Sequence, residues 1–329
     1  MRQMAVWLFL GAVGFLLFGA PSWFPYAVAS AAFLGLLLLC DAFFFAEKDI
    51  YLEGGWEPTV VSGFMQLLPW LVVPWFVEIH FTGVSVIAMC AGFLNMMSLV
   101  PYFRAMRLDQ DAVVVSVMWN VVIGTVPILA FVFLEEKLAL MQYVGIAMIF
   151  FGASVSIWEK TSTRMNVIGL MAVAVAISSV QSIIGKGTLE SVVGWEEFFN
   201  VFLFFTLGEG LFALLALGTV AKRGELSHLG WLVKRFWMAF VFIEGCQIAF
   251  AVTSWRSMSL GPVSLTTSID GFAGLFLMAF SILIAVSFRG TRYAWRTRRI
   301  EAKQMKNRRR KIFGMALVIV GAYYVAGGG

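Results

Sequence analysis

Uncharged apolar runs bounded by charge, Pro or Gly recur at 4–20, 26–45, 59–77, 82–103, 111–134, 141–158, 165–185, 197–218, 236–255, 262–287 and 312–327. A membrane-crossing helix needs about 20 mainly apolar residues, so this pattern predicts eleven spanning helices with mostly short connections. The first run follows Arg2 and ends at Ala20-Pro21-Ser22, which is also the layout of a secretory signal with a small-residue cleavage site. Its length, and the immediate restart at Tyr26 across the Pro21–Pro25 turn, favour a retained helix that forms a hairpin with the second.

Charge gives this order a direction, because cytoplasmic loops retain Lys and Arg. Arg2, Lys48, Arg104, Arg107, Lys160, Arg164, Lys222, Arg223, Lys234, Arg235 and eleven residues between Arg289 and Lys311 fall on one side, 21 in all. Lys137, Lys186 and Arg256 fall on the other, 3 in all, which accounts for the 24 basic residues. Without the 289–311 stretch the bias is still 10 to 3. The N-terminus is therefore expected in the cytoplasm and Gly329 outside, in a multi-pass protein of the inner or plasma membrane.

Composition agrees with lipid as the solvent. With 60% apolar, 16% aromatic and 13% charged residues, a soluble domain would lack the polar surface to cover itself. Cys40, Cys90 and Cys246 sit in separate apolar runs and read as small hydrophobes, and the two histidines, His80 and His228, fall in predicted loops. Neither a disulfide framework nor a metal or other cofactor site follows.

Two halves of the chain resemble each other. Tyr143 to Ala153 (YVGIAMIFFGA) aligns without a gap with Ile312 to Ala322 (IFGMALVIVGA), both glycines coinciding. Phe103-Arg104-Ala105-Met106 resembles Trp255-Arg256-Ser257-Met258, and Gly55-Trp56-Glu57 resembles Gly194-Trp195-Glu196, in the same order. The expected architecture is all-α: an extra helix within 1–25, a five-helix unit over 26–158 and a second over 159–329, inverted relative to the first because each has an odd number of spans.

With Tyr102 to Met106 leading into Asp111-Ala112, then Pro127, Glu135-Glu136, Gly145 to Gly152, Gly261-Pro262-Val263 and Gly314 to Gly321, the chain resembles the EamA-like ten-helix members of the drug/metabolite transporter superfamily. The resemblance covers about residues 26–327. It implies two inverted repeats around a central cavity that moves small solutes by alternating access. Such members usually keep both termini in the cytoplasm, whereas the charge count turns this core the other way up, the segment 4–20 keeping the N-terminus inside.

Ionisable groups in hydrocarbon cost about 2.5 kcal/mol or more, so each needs a role. Asp270 and Glu244 lie about eight or nine residues into their runs, roughly 12–14 Å deep at 1.5 Å per residue, and Glu209 is similarly central. Asp41 is nearer its cytoplasmic end, where it either serves the site or reaches the interface. These carboxyl groups could bind cationic solutes or take up a proton, since burial favours the neutral carboxyl form that proton coupling needs; they could equally be held by neighbouring Ser, Thr and Gln as structural links. Asn95, Asn120, Gln181 and Gln247 also fall within spans, where an amide bonds either a solute or another helix. The repeat alignment, with one gap, sets Trp119 opposite Asp270 and Asn120 opposite Gly271, a polar cluster at matching depth.

No Lys or Arg lies deep in any span, which argues against phosphorylated solutes and for neutral, zwitterionic or cationic ones. The expected function is secondary transport of such a metabolite, with proton coupling as an addition. A divalent-cation carrier of the magnesium type and a membrane-embedded enzyme or lipid-handling protein are the rivals. The enzyme class lacks any HExxH, paired-Asp, nucleophile–base or Gly-rich phosphate motif, so no enzyme is expected. The basic 288–311 stretch, with Tyr293 and Trp295, suits anionic lipid headgroups; its expected role is to hold that loop in the cytoplasm, and nucleic acid is not an expected partner. The spaced pairs Gly145/Gly152 and Gly314/Gly321 permit close packing, by default within one subunit and otherwise in a homodimer.

Overall fold

The computed structural model describes residues 20–45, 55–108, 118–157, 165–190, 192, 194–287 and 308–327, and all regular structure among them is helical. The elements are α1 (Phe24–Phe45), α2 (Trp56–Met65), α3 (Pro69–Val72) with a 3₁₀ turn (Val73–Trp75), α4 (Gly83–Leu108), α5 (Val121–Phe133) and α6 (Leu140–Ile157). They continue with α7 (Met165–Leu189), α8 (Trp195–Lys222), α9 (Leu226–Leu260), α10 (Val263–Ile269), a 3₁₀ turn (Asp270–Phe272), α11 (Ala273–Ser287) and α12 (Arg308–Gly327). Six stretches are long and apolar enough to cross a membrane: Phe24–Asp41, Gly83–Leu108, Met165–Leu189, Trp195–Lys222, Leu226–Leu260 and Val263–Ile284. Three shorter apolar helices accompany them, Val121–Phe133, Leu140–Val155 and Phe313–Ala326. The expected first helix at 4–20 and the basic stretch up to residue 307 lie outside the described residues.

Three expected elements take a different form. The run 59–77 is not one helix: α2 begins at Trp56, stops at Met65, and the chain turns through Gln66–Leu68 before α3. Pro69 and Pro74 explain the break, since each lacks an N–H and its ring clashes with the carbonyl four residues back. The run 262–287 is interrupted at Asp270–Phe272. The stretch before 236 is helix rather than loop, because α9 starts at Leu226 and kinks at Phe236 (φ −121°, ψ 16°). Leu229 and Leu232 bury one face of that first segment while Lys234 and Arg235 stay outside, an amphipathic pattern whose charges hide a helix from a search for apolar runs. His228 is thereby helical, and its Nδ1 lies 2.9 Å from Oε1 of the buried Glu57 on α2.

The packing has a reciprocal form. α1 lies against α9 and α11, as α7 lies against α4 and α5; α2 packs on α8, and α6 on α12. At the α6–α12 crossing a Cβ on Gly145 or on Gly321 would lie 2.6 Å from the other's carbonyl oxygen, and one on Gly152 would lie 2.6 Å from that of Gly314. The four glycines thus bring two backbones together inside one chain. Gly92 and Gly208 do the same for α4 and α8, where the Phe205 and Met89 carbonyls occupy the space a side chain would need. Gly55, which precedes α2, has φ +68°, a left-handed conformation that L side chains rarely adopt.

A polar junction joins α9 to α10. Glu136, after α5, accepts hydrogen bonds from Val263 N (2.8 Å), Ser264 N (3.2 Å) and Ser264 Oγ (2.6 Å), supplying the start of α10 with an acceptor that its own N-cap, Pro262, lacks. Lys186, at the end of α7, donates to the carbonyls of Met258 (2.9 Å) and Gly261 (3.0 Å), placing a cation at the negative end of α9.

Candidate functional site

Four helices and the lead-in to α5 enclose a cavity of about 100 Å³. α1 contributes Leu34, Leu37, Leu38 and Asp41, whose spacing of three, four and seven sets them on one helix face. α4 contributes Asn95, Leu99, Tyr102 and Phe103, offset by four, seven and eight and so also on one face, and α9 contributes Ile243, Glu244, Gln247 and Phe250. Ser62 of α2 and Trp119 complete the wall.

The acids are held by named donors. Glu244, 5% exposed, accepts at Oε2 from Ser62 Oγ (2.8 Å) and Gln66 Nε2 (3.0 Å). Asp41 Oδ2 accepts from the Tyr102 hydroxyl at 3.2 Å. Glu209 of α8, 1% exposed, lies behind Asn95, whose Nδ2 donates to its Oε1 at 2.7 Å. Glu209 Oε2 and Gln66 Oε1 are buried and receive no hydrogen bond. Among the described residues, no Lys, Arg or His lines the cavity.

The opposite end of the bundle carries the α9–α10 junction and, beside it, a wide groove between Trp75–His80 and Val192, Glu196, Glu197 and Asn200. α1 runs from Trp23, packed on Gly261 and accepting at its carbonyl from Ser257 Oγ (3.0 Å), to Asp41 in the cavity, so the α9–α10 junction and the cavity occupy opposite ends. Besides Lys186 and Glu136, this end carries Arg256, 7% exposed, with its guanidinium 4.4 Å from the Trp195 ring centroid and 5.6 Å from that of Phe198. Trp255 packs 4.1 Å from Phe205, centroid to centroid.

No protein-family model and no curated protein matches the sequence. The fold is shared. A crystal structure of a protein is similar over 90% of this chain and 99% of its own length, with a TM-score of 0.59 and 15% sequence identity, and 24 chains of solved structures match in all. At that identity the likeness speaks for the fold alone.

Of the sequence-selected residues, Asp41, Asn95, Trp119, Glu244 and Gln247 line the cavity together, and Glu209 joins them through Asn95. Asp270, Asn120 and Gln181 are not in its lining. Asp270 occupies the 3₁₀ turn between α10 and α11, beside Ser30 of α1. Asn120 occupies the N-cap position of α5 without a side-chain cap hydrogen bond, its buried Nδ2 having no partner among the described residues, and Gln181 is buried on α7 near Gly185. Ser62, Gln66 and Tyr102 were not singled out by sequence. Ser and Tyr carry little signal in an apolar run, and Gln66 marks the helix break rather than a span. Among the described residues, no three His, Cys, Asp or Glu side chains are grouped to hold a metal ion.

Proposed function

We propose that this protein is a secondary carrier that moves a small neutral, zwitterionic or cationic metabolite across the membrane by alternating access. The observation that carries the reading is a cavity lined by Asp41 and Glu244 between helices of the two halves, with a polar junction of Lys186, Glu136 and Arg256 at the far end of the bundle. A carrier holds its solute in a cavity bounded by both halves, whereas a channel would offer a continuous path.

The packing supports two inverted five-helix repeats. Exchanging the halves maps α1 on α9 and α11 onto α7 on α4 and α5, and returns the α2–α8 and α6–α12 contacts to themselves. Gly145 against Gly321 and Gly152 against Gly314 is the pairing a two-fold axis between aligned segments requires. The related helix ends then differ in environment: Phe103 borders the cavity and Arg104 is exposed, while Trp255 and Arg256 are buried. Rocking of one half against the other would interchange those environments. By the charge bias, the cavity end is cytoplasmic. Among the described residues, no three His, Cys, Asp or Glu side chains come close enough to share a metal ion, so the geometry does not favour the divalent-cation reading.

Uptake of radiolabelled solutes into proteoliposomes, with and without a pH gradient, tests the reading. At least one small solute is expected to enter faster than into protein-free vesicles, and Glu244→Gln, which removes the carboxyl group from the cavity wall, is expected to slow it about tenfold or more. Uptake indistinguishable from protein-free vesicles across the panel would remove the reading.

A further inference from the structure

The walls of the cavity have a deficit of one kind. An ionised carboxylate can accept about four hydrogen bonds, yet Glu244 receives two from side chains and Asp41 one. In the layer behind, Glu209 Oε2 and Gln66 Oε1 receive none, in side chains 1% and 0% exposed, and Gln66 is the same residue whose amide nitrogen holds Glu244 toward the cavity. Among the described residues, donors and positive charge are what is missing.

The apolar part of the wall suits the same occupant. Tyr102, Phe103, Trp119 and Phe250 border the cavity, with Tyr102 packed edge-on to Trp119 at 5.3 Å and to Phe103 at 5.4 Å. Aromatic faces attract cations by their quadrupole. The volume of about 100 Å³ is below the roughly 300–1,000 Å³ of pockets for drug-sized ligands, so the occupant is small.

We propose that the cavity binds a small organic ammonium ion, with Glu244 and Asp41 as counter-charges and the aromatic rings against its alkyl groups; this rests on the carrier reading above and names its solute class. An amino acid of the same size would bring its carboxylate among two acids with no basic side chain among the described lining residues to receive it. Like-charge juxtaposition disfavours that complex by several kcal/mol in general, so the site discriminates against zwitterions as well as anions.

Isothermal titration of the purified full-length chain with ethylammonium, tetramethylammonium, alanine and propionate at neutral pH tests the proposal. Both cations are expected to bind, alanine about tenfold or more weakly, propionate without measurable heat, and Glu244→Gln is expected to weaken the cations about tenfold or more. Alanine binding as tightly as ethylammonium, or no binding of either cation to the unaltered protein, would overturn it. The comparison of alanine with ethylammonium needs no variant, so it decides the matter even if Glu244→Gln fails to fold. Titration involves no flux: cation binding without vesicle uptake would leave this assignment standing and remove the carrier reading, while alanine uptake without cation binding would do the reverse.

Discussion

Gly208→Leu is expected to yield no monodisperse folded protein on size-exclusion chromatography in detergent. The Cβ of any residue at 208 meets the Met89 carbonyl, and the reciprocal contact sets Gly92 against the Phe205 carbonyl. Overpacking a core costs about 1–3 kcal/mol when side chains can move aside, but a carbonyl inside a helix cannot rotate away without breaking its own hydrogen bond. α4 and α8 would have to separate. That separation would also break the Asn95–Glu209 hydrogen bond, one residue from Gly208 on α8, and loosen the packing of Phe198, Phe202 and Phe205. Total stabilities of about 5–15 kcal/mol leave little to absorb such a loss. Gly218→Leu, lower on the same helix with nothing within 4 Å of its Cβ, is expected to behave like the unaltered protein.

Lys186→Met is expected to open the α9–α10 junction. Hydrogen bonds to charged groups contribute about 1.5–3 kcal/mol, and the ammonium of Lys186 makes two to the end of α9. If those bonds exist only while this end is closed, their loss shifts the equilibrium toward the opposite state by about tenfold or more. The readout is a cysteine introduced at the buried Met258, in a background with Cys40, Cys90 and Cys246 replaced. Its reaction with a water-soluble maleimide should accelerate by a similar factor in Lys186→Met. An unchanged rate would show that Lys186 does not hold the closure.

The helical framework was legible because lipid imposes long apolar runs, and charge, Pro and Gly punctuate them. The departures have local causes. Pro69 and Pro74 are visible in the sequence, but a search for uncharged runs reads straight through them. The segment 226–235 is helical on Leu229 and Leu232 alone, with charges on its other face. At the cavity, Asp41, Asn95, Glu244 and Gln247 were conspicuous because polar groups in apolar runs are costly, whereas the Ser62 and Tyr102 that position them are cheap there and give no signal. Asp270 shows the limit of reading depth from chain position: nine residues into an apolar run, it marks a break between two helices and is absent from the lining of the cavity. Gln66 joins the site because α2 ends early, a consequence of helix geometry that no run length conveys.

Counterflow in proteoliposomes tests the central claim most directly, because it separates alternating access from a pore. Vesicles preloaded with unlabelled ethylammonium and diluted into a trace of labelled ethylammonium should accumulate label transiently above equilibrium, with the overshoot absent in Glu244→Gln. Label that rises monotonically to equilibrium, at a rate indifferent to internal solute, would contradict a carrier whose acid-lined cavity faces one side at a time.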